Sequence, residues 1–277
     1  MCVNRGNKIL IGAAGMIILL AIIGYVGIHF VSGLDSPLSV VMSSSMQHDN
    51  NESQIGVIDT GDVMIIQDPA KADIQSYVEG TVSGYKSFGD YGSVIIYDRG
   101  DDVNPVIHRA IIWLDYNGNG TWSASSLQNF DEDKWSCSGG TDYRKLSGIL
   151  YFYNITESGK DVNINLNTLG KQSGYLTMGD NPKTNEYFDQ DAKIISHPVG
   201  TDEIRAVALA ELPWLGIIKV YMTENKRMYL ENVPNSINSL VMLFVLIFVS
   251  ICCCDIIHHK RNLLLRENEL KKWKNSY

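Results

Sequence analysis

The chain predicts a mainly β domain carried between two membrane-length helices. Three observations predict it. An uncharged apolar run lies near the start and a second lies near the end. Between them, short runs of β-branched and aromatic residues alternate with Gly, Asp and Asn.

Ile9 to Val31 contains no Lys, Arg, Asp or Glu. At about 1.5 Å per residue, a helix of that length crosses the ~30 Å hydrocarbon core of a bilayer. The run is longer than the roughly 7–15 apolar residues of a cleavable signal core, so an uncleaved anchor is expected, although Ser32-Gly33 supplies small residues of the kind met at cleavage sites. The second run, residues 237–257, is interrupted by Asn238, Ser239, Ser250 and Asp255, and its apolar residues cover every side of the helix. Basic residues flank both runs: Arg5 and Lys8 precede the first, and Lys260, Arg261, Arg266, Lys271, Lys272 and Lys274 follow the second. Lys and Arg mark the retained side, so both ends are expected in the cytoplasm. The expected organisation is a cytoplasmic start at 1–8, a spanning helix at 9–31, an extracytoplasmic β domain at 32–236, a second spanning helix at 237–257 and a basic cytoplasmic tail at 258–277. This makes a multi-pass plasma-membrane protein.

The middle portion, residues 32–236, is long enough for one sizeable core. It holds 15 basic and 28 acidic residues, which excludes a nucleic-acid partner that would demand a basic face. Cys137 is its one cysteine, so no intramolecular disulfide forms there. Adjacent Cys252, Cys253 and Cys254 point in different directions on a helix and read as buried or lipid-facing thiols, and no metal or cofactor is expected.

The predicted strands are Leu38 to Met42, Val63 to Gln67, Ser93 to Tyr97, Val106 to Leu114, Gly148 to Tyr153, Tyr175 to Met178 and Ala206 to Leu212. They suggest an open barrel or paired sheets. Residues 115–142, rich in Gly, Asn, Ser, Asp and Trp, read as an insertion or extended loop. Within them, Asp115-Tyr116-Asn117-Gly118-Asn119-Gly120 matches half of a calcium loop, but Ser126 stands where the bidentate acid belongs, and a glycine-rich turn is the expectation.

A serine hydroxyl needs a neighbouring base to attack a carbonyl. Ser45 closes the triplet Ser43-Ser44-Ser45, His108 lies in a predicted strand, and two carboxylates follow in Gly179-Asp180 and Phe188-Asp189-Gln190. Imidazole titrates near neutrality, and a carboxylate holds its tautomer. Taken singly, each reads first as structure: a polar turn, a strand histidine, a second turn.

Together and in this order they resemble a family. Ser43-Ser44-Ser45-Met46, Gly61-Asp62-Val63-Met64-Ile65-Ile66, Val106-Ile107-His108-Arg109-Ala110-Ile111 and Gly179-Asp180-Asn181 with Phe188-Asp189-Gln190 look like the ordered boxes of type I signal peptidases. Val207 to Gly216 is similar to the closing strand and turn, so the likeness covers about Ser39 to Val220. Histidine rather than lysine in the third box resembles the archaeal and endoplasmic-reticulum kind, and the glycosylation acceptors Asn51, Asn119 and Asn154 fit an archaeal envelope.

The resemblance implies a signal-peptidase-like open β-barrel that cuts signal peptides from secreted preproteins. Ser45 is the implied nucleophile, His108 the general base, Asp189 the carboxylate that orients it, and Asp180 a support. Ser43 is the implied oxyanion donor beside the Ser45 backbone N–H. Asp189 stands further beyond Asp180 than in relatives, and Gln47-His48 replaces the usual proline after the methionine. His48 reads as exposed. Preproteins are expected to bind as an extended strand beside Ser39 to Met42, with small residues at −1 and −3, and the membrane lipid to hold their apolar segment. Association with the secretion machinery stays open. A non-catalytic envelope protein that binds a partner is the alternative. A self-cleaving cytoplasmic regulator is disfavoured by the anchors and by His108.

With tags at both termini and protease added outside sealed cells, the expected outcome is loss of residues 32–236 with both tags intact on immunoblots. Loss of either tag overturns the topology.

Overall fold

The computed structural model describes residues 5–100, 103–222 and 234–274. Two long apolar helices flank the domain, α1 (Arg5–Ser32) and, at the far end, α4 (Pro234–Lys274). Gly15–Ser32 and Asn235–Leu264 are long and apolar enough to cross a membrane. Leu20 and Phe248 typify their exposed apolar side chains, so neither helix is a core element of the domain. α4 runs without interruption from the apolar run into the basic tail, 41 residues or about 60 Å at 1.5 Å per residue.

All the predicted runs form strands. In chain order the elements are β1 (Leu38–Val40), β2 (Val63–Gln67), α2 (Tyr77–Ser83), the hairpin β3 (Lys86–Ser87) and β4 (Asp90–Tyr91), β5 (Val94–Tyr97), β6 (Val106–Tyr116), β7 (Trp122–Ser123), β8 (Trp135–Cys137), β9 (Ile149–Ile155), β10 (Lys160–Asn165), β11 (Gly174–Met178), β12 (Ile204–Leu212) and α3 (Ile217–Met222). The main sheet is antiparallel in the order β1-β2-β12-β5-β6-β11, with β7 on the far end of β6. No barrel closes, so the architecture is mixed α/β with open antiparallel sheets. Bulges at Ala208/Ala210 in β12 and Leu176/Thr177 in β11 increase the local twist and bend these strands.

One face of the sheet buries Val41, Met46, Met64, Ile66, Val94, Ile96 and Ala206 in a single cluster. The other buries Ile95, Tyr97, Ala110, Val199 and Val207. The serine-bearing segment is tied to the strand that follows it: Val41 N–H donates to Asp62 O at 3.0 Å and Gly61 N–H to Val41 O at 2.9 Å.

Residues 115–142 are not a loose loop. They contain β7, two 3-10 turns and β8, which pairs with β9 in a separate sheet of order β10-β9-β8. The reason is a set of isolated apolar residues within the polar stretch: Trp122, Leu127, Phe130 and Trp135 are all buried in one cluster with Phe152 and Phe188. Asp115-Gly120 leads from β6 into a turn towards β7, in which Asn119 Oδ1 accepts from Thr121 N–H at 3.1 Å and from its hydroxyl at 2.7 Å.

Helix α2 is absent from the sequence prediction, yet Ser76-Tyr77-Val78-Glu79 carries its start signal. Ser76 Oγ accepts from Glu79 N–H at 3.2 Å and Glu79 Oε2 accepts from Ser76 N–H at 2.8 Å, a reciprocal cap. A Cβ on Gly80 would lie 2.6 Å from Gly92 N, so only glycine lets the helix sit directly on the chain entering β5.

Phe152 is fully buried and meets Phe130 at 6.4 Å and Phe188 edge-on at 6.1 Å between ring centroids. It joins the smaller sheet to the segment carrying Asp189. Phe152→Ala is expected to destabilise the domain by about 3–5 kcal/mol in chemical denaturation, the range for a buried aromatic truncated to alanine.

Candidate functional site

Successive side chains on a strand face opposite sides, so β6 sends His108 to one face of the sheet and Arg109 to the other. Each meets a buried carboxylate from the segment after β11. His108 Nδ1 lies 2.8 and 2.7 Å from the two oxygens of Asp189. Tyr97 OH donates to Asp189 Oδ2 at 2.6 Å, and Asp189 N–H donates to Thr177 O at 2.9 Å. His108 is 2% exposed and Asp189 0%. Burial works to raise the Asp189 pKa, but the His108 ring together with hydrogen bonds from His108, Thr177 and Tyr97 holds it below the ordinary carboxylate range. Burial, and then the charge of Asp189, push the Tyr97 phenol up, so it stays a neutral donor. Because Nδ1 faces Asp189, Nε2 is the ring nitrogen left for a reaction partner.

Arg109 is fully buried and forks onto Asp180, with Nε 2.9 Å from Oδ1 and Nη2 2.5 Å from Oδ2. Its Nη1 donates to Ser87 O at 3.0 Å, Tyr91 O at 3.1 Å and Gly92 O at 2.9 Å. Burial raises the Asp180 pKa, and the Arg109 guanidinium, joined by His48, more than reverses it, bringing the carboxyl down to about 2.

The serine turn docks on the same segment through backbone. Asn181 N–H donates to Ser45 O at 3.0 Å, and Asn181 Nδ2 to Ser44 O at 2.7 Å. A Cβ on Gly179 would lie 2.4 Å from Ser45 O, so the approach needs glycine there. Pairing of β11 with β6 ends at Met178 opposite Arg109, and one further step in that register sets Gly179 level with His108. The residue beside the serine turn is thus the one level with the imidazole.

Ser45 is half-buried, and its Oγ lies 3.2 Å from Ser43 Oγ, which is exposed. Among the described residues, no hydrogen bond joins Ser45 to His108. The structure therefore brings together His108 with Asp189 and Ser43 with Ser45. It puts Asp180 on Arg109 rather than on His108. His48 departs from its expected exposure: it is half-buried because its ring covers Gly89, and its Nε2 is 3.6 Å from Asp180 Oδ2, an electrostatic contact rather than a hydrogen bond.

Three further residues shape the site. Asn181 was visible inside the Gly-Asp-Asn box, but its bond to Ser44 was not. Tyr97 closes a predicted strand with nothing in the sequence to mark its carboxylate partner. Lys160, which reaches the carbonyls of Asn181 and Asn185, carries no local signal. No grouping of His, Cys, Asp and Glu able to hold a metal ion occurs among the described residues. No protein-family model, curated protein or solved structure matches the chain.

The lowered Asp180 pKa fixes the sign of its pH dependence. Its ionised form is favoured on folding, so the stability is complete above the ordinary value of 3.8 and is lost as pH falls towards about 2. Asp180→Asn removes the carboxylate that the buried Arg109 forks onto, with an expected cost of about 3–5 kcal/mol at neutral pH. Denaturation at pH 7 and pH 3 checks both, since the variant's deficit should shrink at the lower pH.

Proposed function

We propose that the protein is a membrane-anchored serine endopeptidase that removes signal peptides from secreted preproteins, in the manner of archaeal and endoplasmic-reticulum type I signal peptidases. The observation that supports this most is the buried His108–Asp189 pair, with the Ser45 turn docked on the segment that carries Asp189. A carboxylate held on Nδ1 leaves Nε2 as a base of defined tautomer.

In this reading, Ser45 Oγ attacks the scissile carbonyl as His108 Nε2 takes its proton, and the imidazolium formed is stabilised by Asp189. The Ser45 backbone N–H and Ser43 Oγ stabilise the oxyanion, each such donor contributing about 2.7–4 kcal/mol in the transition state. Collapse of the tetrahedral intermediate breaks the C–N bond, and His108 returns the proton to the leaving amine. Water, deprotonated by the same ring, then hydrolyses the acyl-serine. Ser45 Oγ must exchange Ser43 for His108 as its partner when substrate binds, in line with the tightening of serine–base contacts in Michaelis complexes. The helices α1 and α4 hold this chemistry at the outer membrane surface, where an apolar signal segment in the bilayer presents its small-residue end.

The Ser43–Ser45 contact itself favours a second reading, a non-catalytic envelope protein in which the serine box only shapes a binding surface. Processing of a preprotein by the full chain in proteoliposomes separates the two. Wild type is expected to cut after small residues at −1 and −3, and Ser45→Ala and His108→Ala each to lower the rate by about 10⁴-fold or more while the folded protein persists. Undiminished cutting by folded Ser45→Ala removes the protease assignment, and an inert wild type favours the second reading.

A further inference from the structure

Lys160 belongs to the smaller sheet but ends outside it. Its Nζ donates to Asn185 O at 2.8 Å and Asn181 O at 3.2 Å, with Gly179 O and Asp180 O each at 3.5 Å. An ammonium has three N–H donors and no acceptor, so four converging carbonyls share them. Carbonyl dipoles aimed at one point repel one another unless a cation sits between them. Burial works against the charge of Lys160, whereas Asp180, Asp90 and Glu186 favour it.

Two of the four residues whose carbonyls meet Lys160, Gly179 and Asn181, are ones on which the nucleophile turn rests. Asn181 bonds Ser44 O and Ser45 O, Gly179 abuts Ser45 O, and Asp180 is gripped by Arg109. No bond runs from Nζ to Ser45 Oγ, so Lys160 does not stand as the base.

We propose that Lys160 is a positioning residue for Ser45, an internal cation that gathers the carbonyls of the 179–185 segment and thereby sets the Ser44–Ser45 turn against His108. This rests on the proteolytic reading of the site. It gives the smaller sheet a part in chemistry that it does not touch.

The test uses the full chain in proteoliposomes. K160M keeps most of the side-chain stem without the charge, and its kcat is expected to fall by about 10²-fold with KM changed by no more than about twofold, as for a misplacement near 1 Å. K160A is expected to fall similarly and to recover activity with added propylammonium but not with uncharged 1-propanol, a distinction that lost packing alone does not produce. Amide hydrogen exchange at residues 43–48 and 179–185 is expected to quicken in both. If wild type processes no preprotein, the proteolytic reading falls, and the exchange measurement alone decides the role of Lys160. Unchanged kcat in a folded variant of an active enzyme overturns the proposal, as does unchanged exchange. Loss of fold in both variants also overturns it, by making Lys160 a general support.

Discussion

Two neighbouring residues of β6, facing opposite ways, are each matched to a buried carboxylate from one segment. Taking a carboxylate out of water costs several kcal/mol, and only a partner of opposite charge or strong hydrogen bonds offset it. Asp180 has the Arg109 fork; Asp189 has His108 and Tyr97. The segment from Gly179 to Asp189 is therefore pinned at two places on the two sides of a sheet. Everything else at the site depends on that double attachment, because Asn181, between the pins, holds the serine turn by its backbone.

The smaller sheet reinforces this segment by different means at its two ends. Near Asp189 the support is apolar, through the edge-on contact of Phe152 with Phe188. Near Asp180 it is ionic, through Lys160. An apolar contact tolerates small slips, whereas an ammonium among carbonyls fixes a distance. The more exacting support lies on the side that carries Ser45.

The strands were legible because β-branched runs bounded by Gly, Asp and Asn report the need for a half-buried pleated surface. Sheet order was not, since it follows from pairings between distant segments such as β2 with β12. The assignment of Asp189 over Asp180 depends on alternation along β6 combined with the register of β11, which chain spacing alone does not contain. The short elements within residues 115–142 were hidden because composition averages mask a few anchoring side chains, Trp122 and Phe130 among them. His48 misled because its burial depends on Gly89, a residue 41 positions away in the chain whose lack of a side chain makes room for the ring. Arg109 and Asp180 were both within the quoted boxes, but a motif does not announce which of its members meet.

The length of α4 has a mechanical consequence. At about 60 Å it is twice as long as the ~30 Å hydrocarbon core that its apolar stretch is long enough to cross, so such a crossing would leave roughly half of it clear of the hydrocarbon. The helix runs unbroken from the apolar stretch into the cationic one, so Lys260 to Lys274 would be carried on a continuation of the crossing rod rather than on a slack tether.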